Sequence, residues 1–396
     1  MRRPSDMILE IRLLSPSTGQ PHPLAEQPII FIGTKSMPLG IDGVHIEIVG
    51  KFLIYLITFE EWVENENIFS LVRWKKGEVH FVRLSVTAHS STIADNSVYA
   101  QLQSWEWGTC VYFSFLSQDT LVIPNLTLNT LGVSKIIIDS DDTPRLVPLC
   151  ILHLPPLAQD TLIYNLYCRA APNPTSSDPV SISSLSHRPF RDKAEDAIII
   201  FDILYGHSSG SDWLTFTVHR SALLAHVPVA HRACAAFCPA PEASTLDIVH
   251  VPWPEWGPAA TRWFKEECTS MSWITRTAGQ RAVTLRDSMP SPIIVRDFNP
   301  YAVRAACAQA SASGKTQHGN WSMQLPNGNW KTLNVMESVL DAGPTFEEDV
   351  RSSLPYVEIV TQNKYHYDGV MIDDQRILGF KVRFVSLCRQ PLCPLC

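Results

Sequence analysis

The sequence predicts an all-β protein, a WD-like β-propeller of regular or irregular form with a few short helices. Short apolar runs recur between turn residues along the chain and show little 3.6-residue periodicity. The runs fall approximately into groups of four, which is the number of strands in a propeller blade. Segment 68–84 is the clearest hairpin, and its first run is apolar on both faces. A strand of this kind is expected where sheets are stacked above and below it.

The hairpin at 68–84 sets the pattern for the other predicted elements. Its two apolar runs are separated by a polar turn in which Gly77 can adopt the positive φ of a tight hairpin. The first run carries Ile68, Val72 and Trp74 on one face, and Phe69 and Leu71 on the other.

The remaining strands are predicted from similar runs, taken in chain order. The N-terminal groups comprise 29–32, 44–49, 52–58, 68–74 and 79–84, followed by 110–116, 120–123, 131–138 and 146–154. The C-terminal groups comprise 197–205 and 213–218, then 246–251, 281–285 and 293–298, and finally 356–360, 370–372 and 376–382. Helical exceptions are predicted at 259–267, at 301–311, at the acidic turn 346–350 and at 222–225, where residues 219–221 supply the cap.

The domain organisation follows from shifts in composition. Residues 1–40 are expected to form a loosely attached N-terminal arm, and 41–382 the propeller-like domain. Segment 170–191 is rich in Pro and Ser and is predicted to be an exposed loop. Residues 383–396 are expected to be an unpacked tail.

Composition restricts the class of function. The 396 residues are 45% hydrophobic and 18% charged, which allows a large core. The net charge is −7 and no long basic run occurs, so a nucleic-acid partner is not expected. No apolar run reaches the length of about 18 residues that a membrane span requires. Since the first residues do not form a signal peptide, we expect an intracellular protein, cytoplasmic or nuclear, with no membrane partner.

Motifs for catalysis or cofactor binding are weak. Residues 313–316, Ser-Gly-Lys-Thr, imitate a phosphate-binding loop, but Gln309 stands where that loop needs Gly. The ten cysteines lack the two close pairs of a zinc site, and the histidines between 207 and 250 show no metalloprotease spacing. The carboxylates at 139–142 and 373–374 are typical of solvated turns. We therefore expect no catalytic residue, no cofactor and no metal.

Large aromatic residues are the best candidates for a binding site. Aromatic side chains serve as rigid anchors in protein interfaces, and an adjacent arginine can contact a carboxylate or an aromatic ring. Equally, tryptophan packs between sheets in a purely structural role. The candidate binding residues are Trp105, Trp107, Trp253, Trp256 and Arg262.

Several longer stretches resemble a known family. The chain is similar to the propeller-like region that follows the F-box in a group of fungal F-box proteins, and the resemblance covers residues 45 to 380. The stretches that carry it are 68–84, 112–125, 152–157 (Leu-His-Leu-Pro-Pro-Leu), 251–264 (Val-Pro-Trp-Pro-Glu-Trp-Gly-Pro-Ala-Ala-Thr-Arg-Trp-Phe), 295–301, 354–360 and 368–379.

This resemblance implies a substrate-receptor role in a ubiquitin ligase. In such proteins the F-box docks a Skp-type adaptor while the propeller holds a protein substrate. Residues 1–40 depart from that pattern, because they contain three prolines between Pro21 and Pro28 and no helical apolar stripe. We therefore expect non-catalytic recognition of a protein substrate, without docking of a Skp-type adaptor.

Two rival interpretations belong to other classes. One is a propeller-based hydrolase with histidines and carboxylates lining a central channel. The other is a stand-alone adaptor, or a structural remnant, that has lost its connection to a ligase.

Overall fold

The computed structural model describes residues 6–15, 17–36, 41–59, 68–73, 78–81, 112–139, 144–171, 194–229, 248–265, 276–286, 289–314, 320–373 and 376–381. Within these ranges the protein is built mainly from β-strands, with few helices, so the predicted all-β class is confirmed. Among the described strands the pairing is antiparallel except between residues 150–152 and 249–251, a parallel pair that shapes the candidate site.

The N-terminal strands form two separate sheets. Sheet 1 pairs β1 (Asp6–Arg12) with β2 (Ile29–Ser36). Sheet 2 is a four-stranded meander of β3 (Ile41–Val49), β4 (Phe52–Phe59), β5 (Ile68–Arg73) and β6 (Glu78–Phe81). The pairing of β5 with β6 confirms the predicted hairpin, whose turn, with Trp74, lies outside the described residues.

Sheets 3 and 4 form the centre of the molecule. Sheet 3 has the order β14-β10-β9-β8-β7, where β7 is Ser114–Phe115, β8 Thr120–Asn125, β9 Thr130–Ile138, β10 Pro144–His153 and β14 Val249–Val251. Sheet 4 has the order β11-β12-β13-β15, where β11 is Leu162–Ala170, β12 Ile198–His207, β13 Gly210–His219 and β15 Thr261–Lys265. The predicted loop 170–191 begins at the end of β11, and 172–191 lies outside the described residues.

Sheet 5 and two small hairpins complete the architecture. The order in sheet 5 is β16-β17-β18-β23-β20-β19, where β16 is Thr277–Ala278, β17 Arg281–Leu285, β18 Ser291–Asp297, β19 Trp321–Gln324, β20 Trp330–Asn334 and β23 Tyr356–Tyr365. The hairpins pair β21 (Ser338–Leu340) with β22 (Val350–Ser352), and β24 (Gly369–Ile372) with β25 (Ile377–Phe380).

The described helices are short and lie at Arg220–Leu224, Trp253–Ala260 and Pro300–Ala312, with a 3-10 turn at Ala194–Asp196. The last helix confirms the prediction at 301–311; its first turn is capped by Asn299, which accepts a hydrogen bond from the Tyr301 N–H. The helical turn predicted at 222–225 overlaps the helix at Arg220–Leu224. The cap predicted at 219–221 was wrong, because residues 220 and 221 belong to the helix and His219 makes no side-chain cap.

Two helix predictions were wrong. Residues 261–265 form β15, because β13 offers an open edge to which they pair from Val218↔Thr261 to Leu214↔Lys265. The helix lies earlier, where Pro252 and Pro254 suit a helix start. Residues 346–350 form no helix, because Phe346 makes a β-bridge with Leu157 and Val350 begins β22.

The core lies between stacked sheets. Since side chains alternate along a strand, one strand can serve two interfaces. In β12, Ile199 and Phe201 pack toward sheet 3, whereas Ile198 and Ile200 pack toward sheet 5. In β8, Leu121 packs toward sheet 2, on the side opposite Val122. The clusters therefore connect sheets 2, 3, 4 and 5 in chain order. No described helix is long and apolar enough to cross a membrane.

Candidate functional site

The predicted tryptophans at 253 and 256 lie on the short helix Trp253–Ala260, at one side of a groove. Trp256 is 2% exposed and donates its indole N–H to the carbonyl of His153 at 2.8 Å. Trp253 is 7% exposed, packs edge-on against Trp256 and Trp263, and contributes to the groove lining. Trp253 thus forms part of the groove wall, and the buried Trp256 supports it from behind. Trp105 and Trp107 lie outside the described residues.

Gly257 is required for this packing. A Cβ built at this glycine would lie 2.0 Å from the ring of Trp253. Only a residue without a side chain allows the indole to cross the helix backbone so closely. The wall therefore depends on the Trp253–Gly257 contact as well as on the two indoles.

Arg262, the fifth predicted residue, lies behind the wall. It is 5% exposed, and its Nη1 donates to the carbonyls of Met336 at 2.7 Å and Ser352 at 3.3 Å. Its guanidinium also lies 5.3 Å from the centre of the Tyr356 ring. Burial lowers the pKa of Arg262, and the nearby Tyr356 opposes that shift. This arginine holds β15, β22 and β23 together and does not reach the groove lining.

The groove exists because β10 and β14 are parallel. The two strands pair from Cys150↔Val249 to Leu152↔Val251, so both chains leave the sheet at the same end. Each continues directly into a proline-rich segment, Pro155-Pro156 after β10 and Pro252-Trp-Pro254 after β14. Two rigid, mainly apolar walls therefore stand side by side, although about a hundred residues separate them in sequence.

Two further segments close the groove. The turn between β8 and β9 contributes Asn129, whose Nδ2 donates to the Pro155 carbonyl at 2.7 Å. Asn129 has φ 51°, a conformation in which asparagine is favoured among non-glycine residues. On the other side, the Glu347 N–H donates to the Pro156 carbonyl at 3.0 Å, and the Ala158 N–H to the Thr345 carbonyl at 3.0 Å. These bonds hold the segment before β22 beside the prolines.

The resulting cleft has a volume of about 750 Å³. Its size is in the range of sites that take drug-sized ligands or short peptide segments. The apolar lining residues are Leu128, Leu154, Pro155, Pro156, Leu157, Pro252, Trp253, Pro254, Pro258 and Val350, and the polar ones are Thr127, Asn129, His153, Glu348, Asp349 and Arg351.

The charge at the rim is predominantly negative. Glu348 is exposed, and no ion pair to it occurs among the described residues. Asp349 is also exposed and accepts a hydrogen bond from the Ala342 N–H at 3.0 Å. Arg351 is engaged by Glu337, with Nη1 2.7 Å from Oε1. Because the one lining cation already has a carboxylate partner, the rim presents net negative charge.

A pair of histidines lies at the end of the walls. Nε2 of His153 is 3.2 Å from Nδ1 of His250, and the two belong to the parallel strands β10 and β14. Partial burial, followed by the charge of His250, lowers the pKa of His153. The lowered pKa favours a neutral His153 at neutral pH, so this residue offers hydrogen bonds to the groove and no fixed charge.

A second polar cluster lies at the β12–β13 hairpin. His207 Nδ1 is 2.9 Å from Ser209 Oγ, and its Nε2 is 3.4 Å from Asp212 Oδ2. Burial tends to raise the pKa of Asp212, but the hydrogen bond from Thr345 and the charges of Lys265 and His207 together lower it. Ser209, His207 and Asp212 all belong to this hairpin, and Asp212 also accepts a hydrogen bond from Thr345 at 3.0 Å, which ties the hairpin to the segment before β22.

Most groove residues were missed at the level of sequence. Neither the histidine pair nor the Glu348-Asp349 rim has a motif, because their partners come from distant segments. The usable signal in the sequence is the pair of proline-rich stretches, 152–157 and 251–258, which supply the groove walls. Comparisons with known protein families, with curated proteins and with solved structures found no match.

Proposed function

We propose that this protein is a non-catalytic recognition module that holds a segment of another protein in the groove between β10, β14 and β22. The observation that carries the proposal is the cleft of about 750 Å³ with preformed walls. Ten of its sixteen lining residues are apolar and six are polar. Apolar walls with a few convergent polar groups are typical of binding sites.

The rigidity of the walls supports a binding role. Five of the lining residues are prolines, whose fixed φ angles lose little entropy when a ligand binds. The Trp256–His153 and Asn129–Pro155 hydrogen bonds hold the same walls from behind. A preorganised groove spends less of its contact energy on becoming ordered, which favours affinity.

The wider architecture is proposed to be an irregular WD-like propeller. Support comes from sheets 2 to 5, which stack face to face in chain order through successive apolar clusters. Blades of a propeller are arranged in the same manner. In such a scaffold, binding loops are displayed on a stiff frame.

The cellular role that fits is substrate reception, as in the region that follows the F-box in fungal ubiquitin-ligase subunits. The support is the sequence resemblance over 152–157 and 251–264, the stretches that form the groove walls. Purified chain and purified Skp-type adaptor would be run together by size-exclusion chromatography. Separate elution is expected and supports a stand-alone recognition module. Co-elution would instead place the chain in a ligase.

The recognition proposal is tested by selecting peptides on the full chain. A displayed library of random peptides is enriched on the wild-type protein, and the selected peptides are measured against two variants. Leu128→Asp places a charge in the groove, where this leucine is 47% exposed. Leu162→Asp is the matched control, at a leucine that is 64% exposed outside the groove.

We expect Leu128→Asp to weaken binding of the selected peptides by about tenfold or more, because the new carboxylate would be buried unpaired against apolar side chains of the bound segment. Leu162→Asp should leave affinity unchanged. Equal effects of the two substitutions, or no enrichment on the wild-type chain, would overturn the proposal.

A further inference from the structure

The chemistry of the groove also indicates what kind of segment it takes. We infer that its ligand is a protein segment in which apolar side chains flank a lysine or arginine, with the cation placed against Glu348 and Asp349. This inference rests on the proposed function. It adds the chemical class of the partner, which the presence of a groove alone does not determine.

Charge complementarity is the first argument. Glu348 is exposed at the rim, and no ion pair to it occurs in the described part of the chain. Asp349 uses Oδ1 to accept the Ala342 N–H at 3.0 Å, and a carboxylate retains further acceptor capacity on its second oxygen. Arg351 is held by Glu337 at 2.7 Å. Two adjacent carboxylates therefore face the groove with their charge uncompensated, and a cationic side chain would neutralise them.

The apolar walls supply the second argument. Lysine and arginine bury their methylene stems against apolar surface while the charged head stays at the rim. The proline rings and Trp253 offer such a surface in the same groove that Glu348 and Asp349 line. An acidic or phosphorylated segment would instead place like charges together, which is unfavourable.

The backbone of the walls favours a ligand that is held through its side chains. Proline has no N–H, so Pro155, Pro156, Pro252 and Pro254 cannot pair with a ligand strand as donors. The carbonyls of Pro155 and Pro156 already accept hydrogen bonds from Asn129 and Glu347. Addition of a ligand strand by backbone pairing is therefore disfavoured on this wall. Selectivity for the ligand then depends on apolar contacts and on charge.

The test uses three pools of fluorescein-labelled short peptides that differ at one pair of central positions. Flanking positions are mixtures of Leu, Val, Phe and Pro, and the central pair is Lys-Arg, Gln-Gln or Glu-Glu. Anisotropy titrations on the full chain give the affinity of each pool at low and high ionic strength. Protein variants are Glu348→Gln, Glu348→Lys and, as a matched charge change at an exposed site outside the groove, Glu26→Lys.

We expect the Lys-Arg pool to bind about tenfold or more tightly than the Glu-Glu pool at low salt, with the Gln-Gln pool between them. Glu348→Gln should reduce that preference and Glu348→Lys reduce it further, whereas Glu26→Lys should preserve it. Added salt should reduce the difference in affinity between the Lys-Arg and Glu-Glu pools, because it screens charge–charge interactions.

Different results would contradict recognition in the groove and the cationic nature of the ligand. If all three pools bind equally and Leu128→Asp weakens them all, the cationic ligand is wrong while recognition in the groove stands. If no pool binds, or Leu128→Asp has no effect on those that do, both proposals are wrong.

Discussion

Asp202 shows how one buried charge holds two sheets together. This residue of β12 is 8% exposed, and its Oδ2 lies 2.5 Å from Nη2 of Arg276, which precedes β16 of sheet 5. Its other oxygen accepts a hydrogen bond from Thr215 at 2.7 Å. Burial lowers the pKa of Arg169, and the charge of Asp202 opposes that shift. The carboxylate thus compensates more than one buried guanidinium.

Removing this carboxylate is predicted to be costly. Asp202→Ala should lower the free energy of unfolding by about 3–5 kcal/mol, because a buried cation loses its counter-charge. Asp202→Asn should cost less, since the amide oxygen can still accept from Thr215. The control is Glu337→Ala, which breaks the exposed pair with Arg351 and should cost less than about 1 kcal/mol. Urea denaturation measures all three, and comparable losses for Asp202→Ala and Glu337→Ala would refute this account.

At the scale of elements, the parallel pairing of β10 with β14 decides where the groove lies. Its histidine pair crosses between the two strands, with His153 on β10 and His250 on β14. Partial burial, and after it the neighbouring His250, disfavours the protonated form of His153. Protonation is therefore expected to loosen the junction from which both proline walls begin.

The pH dependence of stability follows from the lowered pKa of His153. In the unfolded chain His153 takes up a proton near pH 6.5, whereas in the folded protein it does so only at lower pH. Between these values the unfolded state binds more protons, so stability falls as the pH decreases through that interval. His153→Gln should flatten this dependence in the pH range below about 6.5. Chemical denaturation at several pH values measures it.

The control for that series is Leu162→Ala, a change at an exposed leucine outside the groove that removes no titratable group. It should leave the slope of stability against pH as in the wild type. An unchanged slope in His153→Gln would contradict the role given to the histidine pair.

At the scale of the whole molecule, stability comes from interfaces between neighbouring sheets. Phe201 is fully buried, stacks on Phe216 at 4.6 Å and belongs to the cluster between sheets 3 and 4. The hairpin of β24 and β25 packs instead against sheet 5, through Val370 and Ile372. Stacked architectures of this kind lose stability chiefly at the damaged interface and its neighbours.

Phe201→Ala should therefore destabilise the protein unevenly. We expect a loss of about 3–5 kcal/mol at the affected interface, from lost burial and the cavity left behind. Hydrogen exchange should accelerate most in β8 to β10 and in β12 and β13, and least in β24 and β25. Equal acceleration in all sheets would show a single cooperative unit and refute the stacked arrangement of local interfaces.

Local features were the most predictable from sequence. The 68–84 hairpin follows from a glycine turn between two apolar runs, and the 300–312 helix from proline and asparagine at its start. The helix predicted at 259–267 failed because β13 captured residues 261–265 as a partner strand. Tertiary pairing overrode a weak local preference there.

What the sequence by itself determined is the β class, the positions of most strands and the two proline-rich stretches, because alternation and turn chemistry act over a few residues. Tertiary structure decided which tryptophans are buried and that Arg262 lies behind the wall. It also decided the position of the groove. Its walls follow β10 and β14, and only the parallel register of those strands brings 155–156 beside 252–254, a long-range pairing that no local pattern encodes.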